Sequence, residues 1–184
     1  MAETKRQLQE RLRILMMGPI TEEYQADAED LVKKLNRLRG TEIVAQLQYK
    51  HHAYMAVSML LPGVKAEFLE HAAAEEKHAD MLAERIQQLG GVPVFKPEEI
   101  ALEAGCQHIQ ASEAPTLAGM IQEDLAVERE QIKAYTALIR EVGFTDPTTR
   151  RVLEDILMET ERHASELRDL LSQRAQTEEE SERP

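Results

Sequence analysis

Glu75-Glu76-Lys77-His78-Ala79-Asp80-Met81-Leu82 has a distant echo in Thr160-Glu161-Arg162-His163-Ala164-Ser165-Glu166-Leu167. Aligned on their histidines, both stretches carry His-Ala and a Leu four residues beyond the His, but where the first has Glu75 the second has Thr160. Glu-x-x-His puts a carboxylate and an imidazole on one face of a helix, about one turn apart. Both stretches also sit inside apolar stripes at helical spacing. The first extends through Phe68, Ala72, Glu75, His78, Leu82 and Ile86, and the second through Leu153, Ile156, Thr160, His163, Leu167 and Leu170. Polar ligand-type residues on the buried faces of two distant helices decide the fold and suggest its chemistry.

Two further stripes complete the set: Leu31, Leu35, Leu38, Glu42, Ala45, Tyr49 and His52, and Leu117, Ile121, Leu125, Glu128, Ile132, Tyr135 and Leu138. The four segments are read as helices over about 21–60, 64–89, 116–142 and 147–173. Thr21 is the expected N-cap of the first, and Pro62-Gly63, Gly90-Gly91 and Gly143 are the stops. A shorter helix is expected near 5–16, ending at Gly18-Pro19.

The first and second helices, and the third and fourth, are joined by a few residues, so each pair should form an antiparallel hairpin. Gly90 to Ala114, with Pro115 beyond, is long enough to run the length of helices of about 26 residues, roughly 39 Å. Such a crossover makes the middle two helices parallel. The expected architecture is all-α: a four-helix bundle with one long crossover over 21–175, an N-terminal extension over 1–20 and a disordered acidic tail over 176–184.

A length of 184 residues suits one domain with a real core, and the composition is helix-biased, with no Trp and 7 Pro. The net charge of −12 disfavours a protein held to nucleic acid by phosphate contacts. Only the first 13 residues lean positive, with four Lys/Arg against two Glu, so DNA binding is not expected. The N-terminus lacks the apolar core of a signal peptide, no apolar run approaches the ~20 residues of a membrane span, and the single Cys106 builds no disulfide. The expectation is a soluble, cytoplasmic protein without a membrane partner.

Glutamate is almost never fully buried unless paired or metal-bound. Here Glu42, Glu75, Glu128, His78 and His163 face one core from four helices. Their mutual repulsion calls for a cation, and carboxylate with neutral imidazole suits iron, manganese or zinc. A single Glu from two helices, with Glu-x-x-His from the other two, is the ligand pattern of di-iron carboxylate bundles. The bland alternative for any one of these residues is a hydrogen-bonded core histidine or a chance Glu-x-x-His. The alternative loses force because all four helices contribute in the expected order.

The stretches Thr41–Tyr49, Glu75–Ile86, Gly90–Pro93, Asp124–Glu128 and Glu161–Leu167 resemble the ferritin-like superfamily, in particular bacterioferritin and Dps-like iron-storage proteins. The resemblance covers about 34–171. It implies two irons per subunit, with Glu42 and His78 as terminal ligands of one, Glu128 and His163 of the other, Glu75 bridging, and Tyr49 standing just behind them. It implies ferroxidase activity with peroxide or dioxygen, and storage of Fe(III) in a hollow homo-oligomer. Departures qualify it. The second bridging Glu falls at Thr160, so the second position is expected to be weak unless Glu159 swings inward. Glu76 replaces the haem-ligating Met, so haem is not expected. The absence of a fifth helix favours a dodecamer over a 24-mer, and Cys106 has no partner for the cysteine pair of some relatives.

Met16, Met17, Met55, Met59 and Met120 are read as packing residues, Cys106 as a small crossover residue, and His51, His71 and His108 as surface or interface residues. Two alternatives to storage stay open: a non-storage di-metal enzyme, such as a peroxidase or catalase-like protein, and a ferritin-like scaffold whose site Thr160 has impaired.

Overall fold

The computed structural model describes residues 4–16, 18–55, 62–104 and 116–181. These form six helices: α1 (Lys5–Met16), α2 (Ala28–Met55), α3 (Pro62–Gln88), α4 (Pro97–Glu103), α5 (Leu117–Val142) and α6 (Pro147–Ser181). No strand occurs among the described residues. The expected all-α architecture is therefore the one observed, and the four long helices are those read from the stripes.

Boundaries differ where capping chemistry decides them. α2 starts at Ala28 rather than Thr21, because the Asp27 side chain accepts the Asp30 backbone N–H at 3.1 Å and caps the first turn. α5 begins after Thr116, whose hydroxyl accepts the Gly119 N–H at 3.0 Å. α6 begins at Pro147, and Asp146 accepts the Thr149 N–H at 2.8 Å, pairing an acidic N-cap with proline at the first helical position. α6 also runs on to Ser181, past the point where the sequence suggests a disordered tail. α1 packs against no other helix among the described residues.

Cross-helix pairs fix the topology. Lys34 meets Glu141, Tyr135 meets Glu42 and Tyr49 meets Glu128, so α2 and α5 run antiparallel. His71 meets Glu166, His78 meets Glu159 and Arg85 meets Thr149, so α3 and α6 do too. With α2–α3 and α5–α6 as hairpins, α3 and α5 are parallel, which requires the crossover to travel the bundle's length.

The start of that crossover is fastened to α2. Gly90 turns the chain at φ +78°, a conformation that disfavours any side chain. Asn36 then acts as a stand-in strand edge, donating to the Val92 carbonyl at 3.2 Å and accepting the Val94 N–H at 2.9 Å. Arg39 donates to the Val94 carbonyl and lies 4.3 Å from the Phe95 ring centroid. The short helix α4, which the apolar pattern does not announce, lies against α2 at Gly40. A Cβ on Gly40 would come within 3.1 Å of the Ala104 nitrogen and 3.2 Å of the Ile100 carbonyl oxygen.

The core is divided. One apolar cluster joins Leu31, Leu35, Leu38, Leu82, Ile86, Leu153 and Ile156, and the other joins Ala53, Val64, Phe68, Ala72, Met120, Ile121 and Leu167. Emptying a position such as Leu35 or Ile156 should cost about 2–5 kcal/mol. Between these clusters lies a polar layer. Met120 packs as expected, whereas Met55 is exposed, so its expected core role is corrected. Met17, Met59, Cys106, His108 and the Met16 side chain lie outside the described residues.

Candidate metal centre

Glu42, Glu75, His78, Glu128 and His163 are all brought together in the polar layer, each with no more than a trace of exposed surface. α2 and α5 deliver one carboxylate each, and α3 delivers Glu75 and His78 from one face. α6 delivers His163. His78 Nδ1 lies 3.3 Å from Glu42 Oε2 and 3.9 Å from Glu75 Oε1. His163 Nδ1 lies 3.5 Å from Glu75 Oε1 and 3.4 Å from Glu128 Oε1. Glu75 therefore stands between the two imidazoles, as a shared ligand must.

Behind these groups, hydrogen bonds fix their orientation. Tyr49 on α2 donates to Glu128 on α5 at 2.5 Å, and Tyr135 on α5 donates to Glu42 on α2 at 2.5 Å. The pair is reciprocal because Glu42–Tyr49 and Glu128–Tyr135 share one seven-residue spacing. Gln131 donates to Glu75 Oε2 at 2.9 Å. A further buried layer joins Asp124 to Gln48 at 2.8 Å and to His52 at 2.8 Å.

Burial leaves this layer short of partners. Glu42 Oε2, Glu75 Oε1, His78 Nδ1, Glu128 Oε2 and His163 Nδ1 are buried without a hydrogen bond. More than nine in ten buried polar groups in native proteins are partnered, and an orphan costs about 1–3 kcal/mol or more. Burial pushes the Glu42 carboxyl up to about 7, with hydrogen bonds from its neighbours opposing the rise. Burial, reinforced by the Glu42 charge, pushes Glu75 up to about 8, and burial also holds Glu128 well above the carboxylate range. Unpartnered imidazole nitrogens beside unpartnered carboxyls that resist ionising without a nearby positive charge fit a divalent cation. Glu42, Glu75 and His78 each offer a ligand atom within 4.8 Å of the others.

Two expectations are corrected. Glu159 does not turn into the centre: its carboxylate accepts from His78 Nε2 at 2.8 Å and from Lys77 at 3.0 Å. It orients His78 instead, leaving Nδ1 to face Glu42. Thr160 is buried, and its hydroxyl donates to the Ile156 carbonyl at 3.0 Å, inside its own helix, so it brings the centre no proton donor and no negative charge.

The second correction is His71, expected at the surface. It is buried and stacked on His163, with ring centroids 4.1 Å apart. Its Nε2 contacts Glu166 at 3.1 Å, its Nδ1 has no partner, and burial lowers its pKa to about 4. His71, Glu128 and His163 form a second group whose ligand atoms lie within 4.8 Å of one another. The signal was present in the sequence: His71 precedes Glu75 by four residues and His78 by seven, on the same face. His51 is only partly buried, as a surface position allows.

The Ferritin-like domain family matches residues 32–176, a span holding α3 and α5, most of α2 and α6, and every residue of the centre. The chain belongs to the ferritin-like family. Among ferritin-like relatives, a nutrient stress-induced DNA-binding protein of Synechococcus sp. is 30% identical over 141 residues, covering 75% of this chain and 78% of that one. The bacterioferritin of Desulfovibrio desulfuricans is 29% identical over 134 residues, covering 72% and 69%. A similar solved ferritin-like structure is the dodecameric thioferritin described as the bacterioferritin-related protein of Bacteroides fragilis. It has a TM-score of 0.82 at 28% identity and covers 95% of this chain and 99% of that one. No helix among the described residues is long and apolar enough to cross a membrane.

Proposed function

We propose that this chain is a ferroxidase: it binds Fe(II) as substrate at an intra-subunit two-metal centre, passes its electrons to peroxide or dioxygen, and stores Fe(III) in a hollow homo-oligomer. The observation that carries the reading is the set of buried carboxyl and imidazole atoms left without partners, contributed by all four long helices. Family membership supports the iron chemistry.

Each residue has a role in this reading. Glu42 and His78 hold one iron, Glu128 and His163 the other, and Glu75 serves both. Tyr49 and Tyr135 lock the Glu128 and Glu42 carboxylates by hydrogen bonds. Glu159 holds the His78 ring with Nδ1 facing inward. Entry of Fe(II) displaces protons from the buried carboxyls of Glu42 and Glu75, so binding is proton-releasing near neutral pH. Two irons side by side match a two-electron oxidant: H2O2 takes one electron from each Fe(II), and two protons complete two waters.

The dodecameric assembly of the Bacteroides fragilis protein supports twelve subunits here. The net charge of −12 suits attraction of Fe(II) to the shell and disfavours the DNA binding carried in the Synechococcus relative's name. The single Cys106 supports a cytoplasmic setting. The Thr160 hydroxyl, turned back onto its own helix, favours as a second reading a centre with one strong position and slowed oxidation.

Anaerobic loading with Fe(II), followed by peroxide or dioxygen, tests the reading through Fe(III) absorbance and native mass. Rapid oxidation within a particle of about twelve 20.9 kDa chains is expected. Oxidation no faster than in protein-free buffer, or a monomeric particle, contradicts it.

A further inference from the structure

We propose that His71 is a ligand of the second metal position, supplying through Nδ1 the donor that Thr160 does not provide. This rests on the two-metal reading above and specifies how its weaker half is completed.

Consider what that position has without His71. Glu75 is shared, Glu128 and His163 are its own, and Thr160 offers no carboxylate, only a weak neutral oxygen whose proton is given to the Ile156 carbonyl. The imidazoles differ as well. His78 has a carboxylate behind it, Glu159 at 2.8 Å from Nε2, whereas His163 has the Arg162 guanidinium donating to Nε2 at 3.1 Å. A carboxylate behind a ligating imidazole fixes its tautomer and raises its basicity. A guanidinium donating to Nε2 favours the opposite tautomer, with the proton on Nδ1, so Arg162 must release Nε2 before His163 Nδ1 can bind a cation.

His71 has what His163 lacks. Its Nε2 donates to Glu166 at 3.1 Å, and Glu166 is held in turn by Arg162 at 2.7 and 2.9 Å. That leaves the Nδ1 lone pair free, and Nδ1 is the buried, unpartnered atom. The ring is 1% exposed and stacked on His163, in a group with Glu128. The outer face of the same ring can also form a group with Glu67 and Glu166, both partly exposed, but there the nitrogen already has a hydrogen-bond partner. Unmet bonding capacity lies on the inner side. The second position then has two imidazoles, Glu128 and a share of Glu75: one carboxylate fewer than the family pattern and one nitrogen more. Such a donor set shifts preference toward borderline ions such as Zn(II) and Co(II) relative to the oxygen-richer first position.

The test is calorimetric titration of the metal-free, full-length oligomer with Zn(II), which reports binding without redox turnover. The wild type should take two Zn(II) per chain in two steps. His71→Ala should keep the first step and lose the second, and adding Thr160→Glu to that variant should restore it. Glu166→Gln should weaken the second step by about 10–100-fold while preserving the buried ring, which covers the case in which His71→Ala does not fold. Glu75→Ala should lose both steps. Two undiminished steps in His71→Ala overturn the proposal and leave the two-metal reading standing. So does loss of a step that Thr160→Glu fails to restore, which points to the outer Glu67–His71–Glu166 group. No Zn(II) binding by the wild type defeats the two-metal reading itself, and this proposal with it.

Discussion

Helix α3 passes through two buried polar clusters, and they are built on opposite principles. Near its C-terminal end, Arg85 donates to Asp146 at 2.9 and 3.0 Å and to Thr149 at 2.7 Å, while Tyr24 donates to the same Asp146 at 2.8 Å. Both Asp146 oxygens have partners. Burial opposes ionisation of Asp146, yet hydrogen bonds from Thr149, Arg85 and Tyr24 outweigh it and hold the carboxyl below the usual range. About two turns earlier, Glu75 and His78 sit in a cluster with more acceptors than donors, unpartnered atoms and carboxyls raised by burial. The first cluster is complete and pins the start of α6 to α3. The second leaves buried oxygens and nitrogens unpartnered, a deficit that protons relieve in part and that bound cations would fill. Burial alone therefore does not separate the two clusters; the concentration of unpartnered atoms does.

That contrast can be broken in several ways. The largest effect is expected from Arg85→Ala, which leaves Asp146 buried and uncompensated. Loss of about 3–5 kcal/mol in metal-free stability should appear in urea unfolding, and a loss under 1 kcal/mol would mean the network is not structural. Saturating metal should act on the other cluster: Zn(II) at about 100 times its Kd should stabilise the chain by about 2.7 kcal/mol. Thermal midpoints that do not move with Zn(II) would remove the distinction between the clusters.

Glu159→Gln sharpens the comparison within the centre. It keeps the side chain's shape but removes the carboxylate behind His78, so affinity at the first position should fall about 10–100-fold with the fold intact. An unchanged first Zn(II) step would show that Glu159 has no hold on His78.

The smallest and most diagnostic effect is in pH. Glu42 at about 7 and Glu75 at about 8 lie above the value of about 4.3 for an unfolded Glu. The folded chain thus binds more protons than the unfolded chain across that window. Metal-free stability contributed by these groups is full below about pH 4 and declines as pH rises toward 8. Asp146 has the opposite sign: its contribution is present above the unfolded value of about 3.9 and is lost as pH falls through its lowered folded value. Circular-dichroism melts of metal-free protein should therefore decline from mildly acidic to mildly alkaline pH, and Zn(II) should abolish that decline. Metal-free protein that gains stability from pH 5 to 8 would contradict the charge state described.

How much of this was legible in the sequence follows from which interactions are periodic. The stripes through Leu35, Phe68, Ile121 and Leu153 fixed the four helices, and Glu42, Glu75, His78, Glu128 and His163 were found because ligand-type residues interrupt those stripes. The place of Tyr49 beside them came from the family resemblance, not from the stripe. The start of α2 is not legible in the sequence because Asp27 and Thr21 are both plausible caps, and only the Asp27–Asp30 hydrogen bond shows which one acts. Helix α4 escaped because it rests on Gly40 of another helix, after a lead-in segment that Asn36 and Arg39 fasten, rather than on a stripe of its own. His71 was read as a surface residue because a lone histidine carries no mark of burial. Only its spacing to Glu75 and the approach of α6 put it against His163. Glu159 shows the reverse: a carboxylate one turn from His163 in sequence serves His78 on another helix.

The unpartnered carboxyls and imidazoles between the two apolar clusters are proposed as a two-position metal centre around Glu75. Anomalous diffraction from crystals of the full chain soaked with Zn(II) tests it most directly. The account predicts two peaks flanking the Glu75 carboxylate, the fuller one between Glu42 and His78, the weaker between Glu128 and His163. Peaks confined to surface carboxylates, with the Glu75 layer empty at saturating Zn(II), would contradict it.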